Sequence, residues 1–335
     1  MYKGIYLLLW VACLVGCRKA KPDLDNPDEV EVCVDLPVSY NTVPAQFNRE
    51  QAKFDPYYPE ILYYTKTSYF SGLDMARHAP IGQPFKQLIS YNLRTNEFSV
   101  VLYSYSKPLA DSLSKGTKAD FGFHAFVPGP NDWILFVDNR RNICKIKKDG
   151  TVMRKIREMA SGPSWSKDGT QILFYDQTTQ KNTIMDLDGS TKSVLNVGNG
   201  NLSFTGVDGV LAGLNKSNNQ IFQYNADYQK KTNTSSADPT SEFSDIGLLP
   251  IGYEAIMSTK DWILKINLTD STVKEYLRPN CVSGSYEMPN VSPDGNRVVF
   301  TKKTRTPLDG SWVQQKHDIY IMDIRCWHAK KLELP

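Results

Sequence analysis

Histidine is scarce in this 335-residue chain: His78, His124, His317 and His328 are the whole complement. No two of them stand at metal-pair spacing, and none belongs to an HExxH-type motif, so no metal site is expected. A serine elbow of the GxSxG kind is missing too; Gly162-Pro-Ser-Trp-Ser comes nearest and fails at its last position. Neither a phosphate-cradling P-loop nor a dinucleotide fingerprint occurs. Asp186-Leu-Asp188-Gly189 starts like a calcium loop, but the remaining oxygen ligands and the bidentate acid that such a loop needs do not follow. These gaps remove the common routes to metal, nucleotide and acyl-transfer chemistry. No catalytic residue, metal or cofactor is expected.

Charge of one sign and long apolar runs are also in short supply. Lys and Arg number 39 against 36 Asp and Glu, a net charge of +3, and the basic residues are dispersed along the sequence. Phosphate-backbone binding needs a basic stripe, so nucleic acid is not an expected partner. After the N-terminus no segment approaches the roughly twenty apolar residues of a spanning helix. What the chain does have is strand-forming material. Aromatics make up 11%, with Tyr (18) the commonest, and β-branched residues recur in short runs. All-β rings and barrels often run past about 200 residues as one domain.

The N-terminus has its own pattern. Lys3 precedes an apolar stretch, Ile5 to Val15, too short to cross a bilayer but suited to a signal peptide. It ends in Leu14-Val15-Gly16-Cys17, followed at once by Arg18-Lys19. This segment resembles the lipobox of bacterial lipoproteins. The resemblance implies a signal peptide over residues 1–16, a lipidated Cys17 as the mature terminus, and attachment to the membrane through that N-terminal lipid. Position 18 is not the Asp that retains lipoproteins at the inner membrane in some bacteria. The expected location is therefore the outer membrane, facing the periplasm or the cell surface. Residues 17–50 read as the lipidated terminus and a charged, proline-punctuated tether. Within it, Glu29–Leu36 alternates like an edge strand and is a candidate to close the fold.

Internal repetition organises the rest. Pro163-Ser-Trp-Ser-Lys-Asp-Gly-Thr-Gln-Ile-Leu-Phe-Tyr pairs with Pro289-Asn-Val-Ser-Pro-Asp-Gly-Asn-Arg-Val-Val-Phe-Thr, and each is followed by a short strand ending in Met-Asp. Asp132-Trp-Ile-Leu-Phe-Val-Asp precedes its counterpart at Thr170 by 38 residues. Counting the weaker copies gives six units, near residues 54–102, 121–157, 160–197, 199–233, 244–278 and 285–335. A period near 40 residues with four short strands marks a propeller blade. The sequence thus predicts an all-β fold over residues 51–335, a six-bladed β-propeller of four-stranded antiparallel blades. Trp165-Ser-Lys-Asp-Gly and Val291-Ser-Pro-Asp-Gly, each leading into an apolar strand and then Ile-Met-Asp, resemble the repeat of TolB-type propellers. That resemblance implies a six-bladed ring with scaffolding and binding roles; it names no ligand. Some peptidases join a related propeller to a hydrolase domain, and no such domain is expected here.

In such a ring the turns after the first and third strands of a blade share one face, and the remaining connections share the other. The Asp-Gly turns all fall on the first face and the long insertions on the second. The blade one insertion, about Thr65 to Lys86, carries Tyr69, Phe70, Arg77 and His78. The blade six insertion, Lys303 to His317, carries Arg305, Trp312 and His317, and the connection from blade one to two adds Tyr105. Blades six and one become neighbours on closure, so these residues should gather over one sector as a ligand-binding site. Trp133, Trp165 and Trp262 fall in or beside strands and read as packing residues, and Cys144 as a core residue. Spacing assigns no disulfide among Cys33, Cys144, Cys281 and Cys326. The expected function is a monomeric, lipid-anchored envelope scaffold, not an enzyme, that recognises a protein or glycan partner. The alternative is a glycan-active lyase or hydrolase working in the axial funnel.

Overall fold

The computed structural model describes residues 41–45, 47–69, 73–74, 79–80, 84–104, 122–195, 201–205, 210–215, 220–225, 230–235, 243–249, 254–259, 263–268, 272–277, 284–308, 312–324 and 329–335. The signal segment, Cys17, Cys33, the Glu29–Leu36 segment, Cys281, Cys326 and Trp262 lie outside these residues. All regular structure among the described residues is β. A first strand, β1 (Asn41–Pro44), precedes blade one, which consists of β2 (Phe47–Phe54), β3 (Ile61–Tyr69), β6 (Pro84–Asn92) and β7 (Phe98–Tyr103). Two-residue strands β4 (Leu73–Asp74) and β5 (Ala79–Pro80) pair with each other between β3 and β6. Blade two holds β8 (Phe123–Pro128), β9 (Trp133–Asp138), β10 (Ile143–Lys147) and β11 (Met153–Arg157). Blade three holds β12 (Ala160–Trp165), β13 (Gln171–Asp176), β14 (Lys181–Asp186) and β15 (Thr191–Leu195).

Blade four follows with β16 (Asn201–Phe204), β17 (Leu211–Asn215), β18 (Gln220–Tyr224) and β19 (Lys230–Ser235). Blade five holds β20 (Phe243–Leu248), β21 (Glu254–Thr259), β22 (Ile263–Asn267) and β23 (Val273–Leu277). Blade six ends the ring with β24 (Gly284–Val291), β25 (Arg297–Pro307), β26 (Trp312–Asp323) and β27 (Ala329–Lys331). Consecutive strands within each blade pair antiparallel, so the six repeat units of the sequence are the six blades.

Alternation along the strands explains why the blades stack. Side chains of a strand point in turn to opposite faces, and here each face meets a neighbouring blade. Leu62, Tyr64, Ile89 and Tyr91 of blade one pack on Val299, Ile319 and Ile321 of blade six. Tyr63, Leu88 and Leu102 face the other way, onto Phe123, Phe126 and Phe136 of blade two. The same arrangement runs through Trp165 and Phe174, then Leu173 with Leu211, then Ala212 with Met257, then Ile256 with Phe300. Six clusters fill six interfaces, and the cluster between blades six and one closes the circle. Each fully buried side chain of this size contributes about 1.5–3 kcal/mol. Trp165 packs here and donates its indole N–H to the Val127 carbonyl at 3.2 Å. Cys144 is buried in β10, where burial pushes its thiol up to about 12.

The Asp-Gly turns lie where the repeat places them. In the β12–β13 turn the Asp168 carboxylate accepts from the Thr170 N–H at 3.0 Å and the Ser166 hydroxyl at 2.6 Å. Gly169 beside it has φ +71, and a Cβ there would stand 2.5 Å from Pro130 of blade two. Only glycine fits both the turn and the approach of the next blade. The β24–β25 turn repeats the device with Asp294, Ser292 and Gly295.

Ring closure uses both ends of the folded body. β27 covers Tyr320–Met322 on the outer edge of β26 in antiparallel register, and β1 covers Trp312–Gln315 on the same edge in parallel. The Ala45 N–H then donates to the Gln315 carbonyl at 2.7 Å as the chain crosses to blade one. Residues 41–45 and 47–50 of the segment read as tether therefore belong to the folded body.

Candidate functional site

Blades one and six depart from the rest in strand length. Strands of blades two to five run four to six residues, whereas β3 and β6 have nine each, β25 eleven and β26 twelve. The second and third strands of these two adjoining blades thus project past the ring as hairpins, both on the face opposite the Asp-Gly turns. This corrects one expectation: the segment from Lys303 to His317 is not a loop. Thr304 pairs with Lys316, Arg305 with Gln315 and Pro307 with Val313, so Arg305, Trp312 and His317 all stand on strands. β-Branched Thr301, Thr304, Thr306 and Val313 favour the extended form, and polar alternation made the segment read as loop. Tyr69 ends β3 opposite Pro84. Phe70, Arg77, His78 and Tyr105 lie outside the described residues.

Strand parity sets the two hairpins face to face. Val299, Ile319 and Ile321 turn toward blade one, so Lys303, Arg305, Gln315 and His317 continue that side of the sheet. On blade one, Lys66, Phe85 and Gln87 continue the side of Tyr64 and Ile89 that meets blade six. The structure thereby brings Arg305 and His317 to the side that meets blade one, whereas Trp312, of opposite parity on β26, falls on the other side of the sheet.

His317 is the best-held of them. Its Nδ1 lies 3.3 Å from the Glu50 carboxylate of β2, its Nε2 lies 3.0 Å from the Gln315 amide nitrogen, and its backbone N–H donates to Asn48 Oδ1 at 3.1 Å. Burial pushes the Glu50 carboxyl up, but the hydrogen bond and charge of His317, with Lys86 and Lys303 nearby, hold it below the ordinary carboxylate value. Lys303 in turn pairs with Glu287 of β24 at 3.3 Å. Lys86 sits 5.3 Å from the Phe123 ring centre, and burial lowers its pKa against the pull of Glu50.

Asn48, Glu50, Lys66, Lys86 and Gln315 were not singled out from sequence. Glu50 and His317 are 267 positions apart, and Glu50 fell in the segment read as tether, so only ring closure reveals the pair. The cluster supplies charge and hydrogen-bond donors on rigid strands, the equipment of recognition. Among the described residues no three His, Cys, Asp or Glu side chains converge on a metal-sized point. A separate cavity of about 530 Å³, lined by Tyr91, Asn96, Phe98 and Glu333 to Pro335, opens beside the β6–β7 turn on the opposite face.

The inner strands share a further trait. β2, β12 and β24 each carry a bulge with a left-handed residue, Gln51 (φ 59), Gly162 (φ 60) and Met288 (φ 55). Bulges of this kind bend the strand and re-aim the side chains beside them.

No family model matches this chain, and no curated protein matches it. Many solved structures share the fold. TolB from Agrobacterium tumefaciens superposes with a TM-score of 0.55 at 14% identity, covering 72% of this chain and 86% of that one. A chain of a nidogen/laminin complex gives 0.51 at 12% identity, covering 74% of this chain and 90% of that one. At such identities the likeness is one of fold, and it bears out the propeller.

Proposed function

We propose that this protein is a non-catalytic binding propeller of the bacterial envelope, lipidated at Cys17, that recognises a protein partner with the sector between its blade one and blade six hairpins. The observation that carries the reading is the confinement of extended hairpins to two adjoining blades, whose facing sides hold Arg305, His317, Lys303 and Lys66 on rigid strands. Propellers of this fold include one solved as part of a nidogen/laminin complex, which supports a protein partner. The lipobox-like Leu14-Val15-Gly16-Cys17 supports outer-membrane attachment, with the ring facing the periplasm or the surface.

Two experiments test this. Cys17→Ser is expected to move the protein from the membrane to the soluble fraction and to stop incorporation of labelled fatty acid. Replacing residues 304–316 by a two-residue turn is expected to abolish capture of envelope partners in a variant that still melts cooperatively, at a lower temperature than the parent because β1 loses its pairing with Trp312–Gln315. Unchanged capture by a folded, shortened variant would remove the sector from the mechanism.

A further inference from the structure

Blade one carries a charge arrangement that folding alone disfavours. Arg49 of β2 and Lys66 of β3 stand directly opposite each other, and like charges in that relation weaken a strand pair. Lys66 meets no carboxylate among the described residues. Its ammonium lies 5.5 Å from the Phe47 ring centre, and burial together with Arg49 pushes its pKa down. Arg49 directs its guanidinium to the Leu334 and Pro335 carbonyls, at 2.9 and 3.4 Å. The cation that remains is Lys66, on the side of the hairpin that faces blade six.

The surroundings repeat the bias. Over residues 47–50, 65–69, 84–87, 284–287, 301–308 and 312–318, seven lysines and arginines stand against three carboxylates, Glu50, Glu287 and Asp318. That surplus of four exceeds the +3 of the whole chain, so the remainder of the protein is close to neutral. The three carboxylates are already engaged, by His317, Lys303 and the Lys316–Lys331 pair. Exposed rings border the cations: Phe47 is 41% and Tyr103 47% exposed, and Tyr103 packs on Phe85 with centroids 5.5 Å apart.

We infer that this sector takes an acidic polypeptide segment, whose carboxylates meet Lys66 and its neighbouring cations and whose apolar side chains rest on Phe47 and the Phe85–Tyr103 pair. This deepens the reading of a protein partner and rests on it. Peptide chemistry is favoured over a nucleic acid or a polyuronate because carboxylates are interleaved among the cations, which penalises an evenly charged polyanion. Exposed aromatic rings and complementary charge are both features of protein interfaces.

The test uses fluorescein-labelled probes with the intact protein: a short glutamate–tyrosine peptide, its lysine–tyrosine counterpart, an oligothymidylate and a polygalacturonate fragment. The glutamate–tyrosine peptide is expected to bind, to weaken steeply with salt, and to lose roughly tenfold in affinity with Lys66→Glu. Because Lys66→Glu sets a carboxylate opposite Arg49, the variant is expected to melt no lower than the parent; Lys66→Gln serves as a second, milder variant. No peptide binding, affinity unchanged in both variants, or equal binding of the other polyanions would overturn the inference. Hairpin-dependent capture that survives both substitutions and high salt would leave the protein-binding reading intact and sink only the acidic segment.

Discussion

Asp55 shows how a single side chain ties the ring together. It is 1% exposed, accepts the Tyr57 and Tyr58 N–H groups at 2.9 and 3.2 Å, and meets Lys148 of blade two at 2.6 Å. A buried carboxylate stripped of its cation costs about 3 kcal/mol or more. Lys148→Met should therefore lower stability by roughly that amount in denaturant titration. Adding Asp55→Asn to it should restore most of the loss, since the amide oxygen keeps both N–H contacts. Asp176 carries the pH dependence of the next interface. Burial pushes its carboxyl up, but Arg157 of blade two at 2.7 Å and the Thr179 and Thr178 N–H groups outweigh this and hold it below 3.8. A carboxyl depressed on folding contributes stability above its unfolded value, and that contribution is lost as pH falls through the lower folded value. Asp176→Asn should accordingly flatten the acid limb of the stability curve below about pH 4 while lowering the plateau at neutral pH.

At the scale of elements, β1 is the piece with the clearest consequence. It covers Trp312–Gln315 of β26, an edge that would otherwise offer unpaired backbone groups to another chain. A form starting at residue 46 should melt lower and form concentration-dependent oligomers by light scattering, whereas the parent stays monomeric. Blades, turns and their order were legible in the sequence, because Asp-Gly turns and a period near 40 are local signals. Trp165 and Val291, each followed by Ser and then Asp-Gly, marked their strands to within a residue. The blade six hairpin was not legible. Lys302 to His317 alternates among polar residues on both sides, so no apolar face announced a strand, and what fixes it is pairing with its own return segment. Glu50, Asn48 and Lys86 escaped notice for a related reason. Their meaning depends on partners that only ring closure supplies.

Across the whole molecule the apolar packing and the surplus of positive charge occupy different places. Six apolar clusters hold the blades, the Asp-Gly turns finish one face, and the positive surplus gathers on the other, over blades one and six. The near-neutral overall charge hid this concentration, since dispersal along the sequence says nothing about position in space. Anchoring at Cys17, as proposed, does not by itself select a face, so the face actually used is the point on which the functional reading stands. Photo-crosslinking in cells tests it most directly, with a photoreactive residue at exposed Phe47 beside Lys66 or at exposed Asp188 in a turn of the opposite face. Cross-links to an envelope protein from position 47, weakened by Lys66→Glu and missing from position 188, are the expected result. Cross-links from position 188 alone, with none from 47, would contradict it.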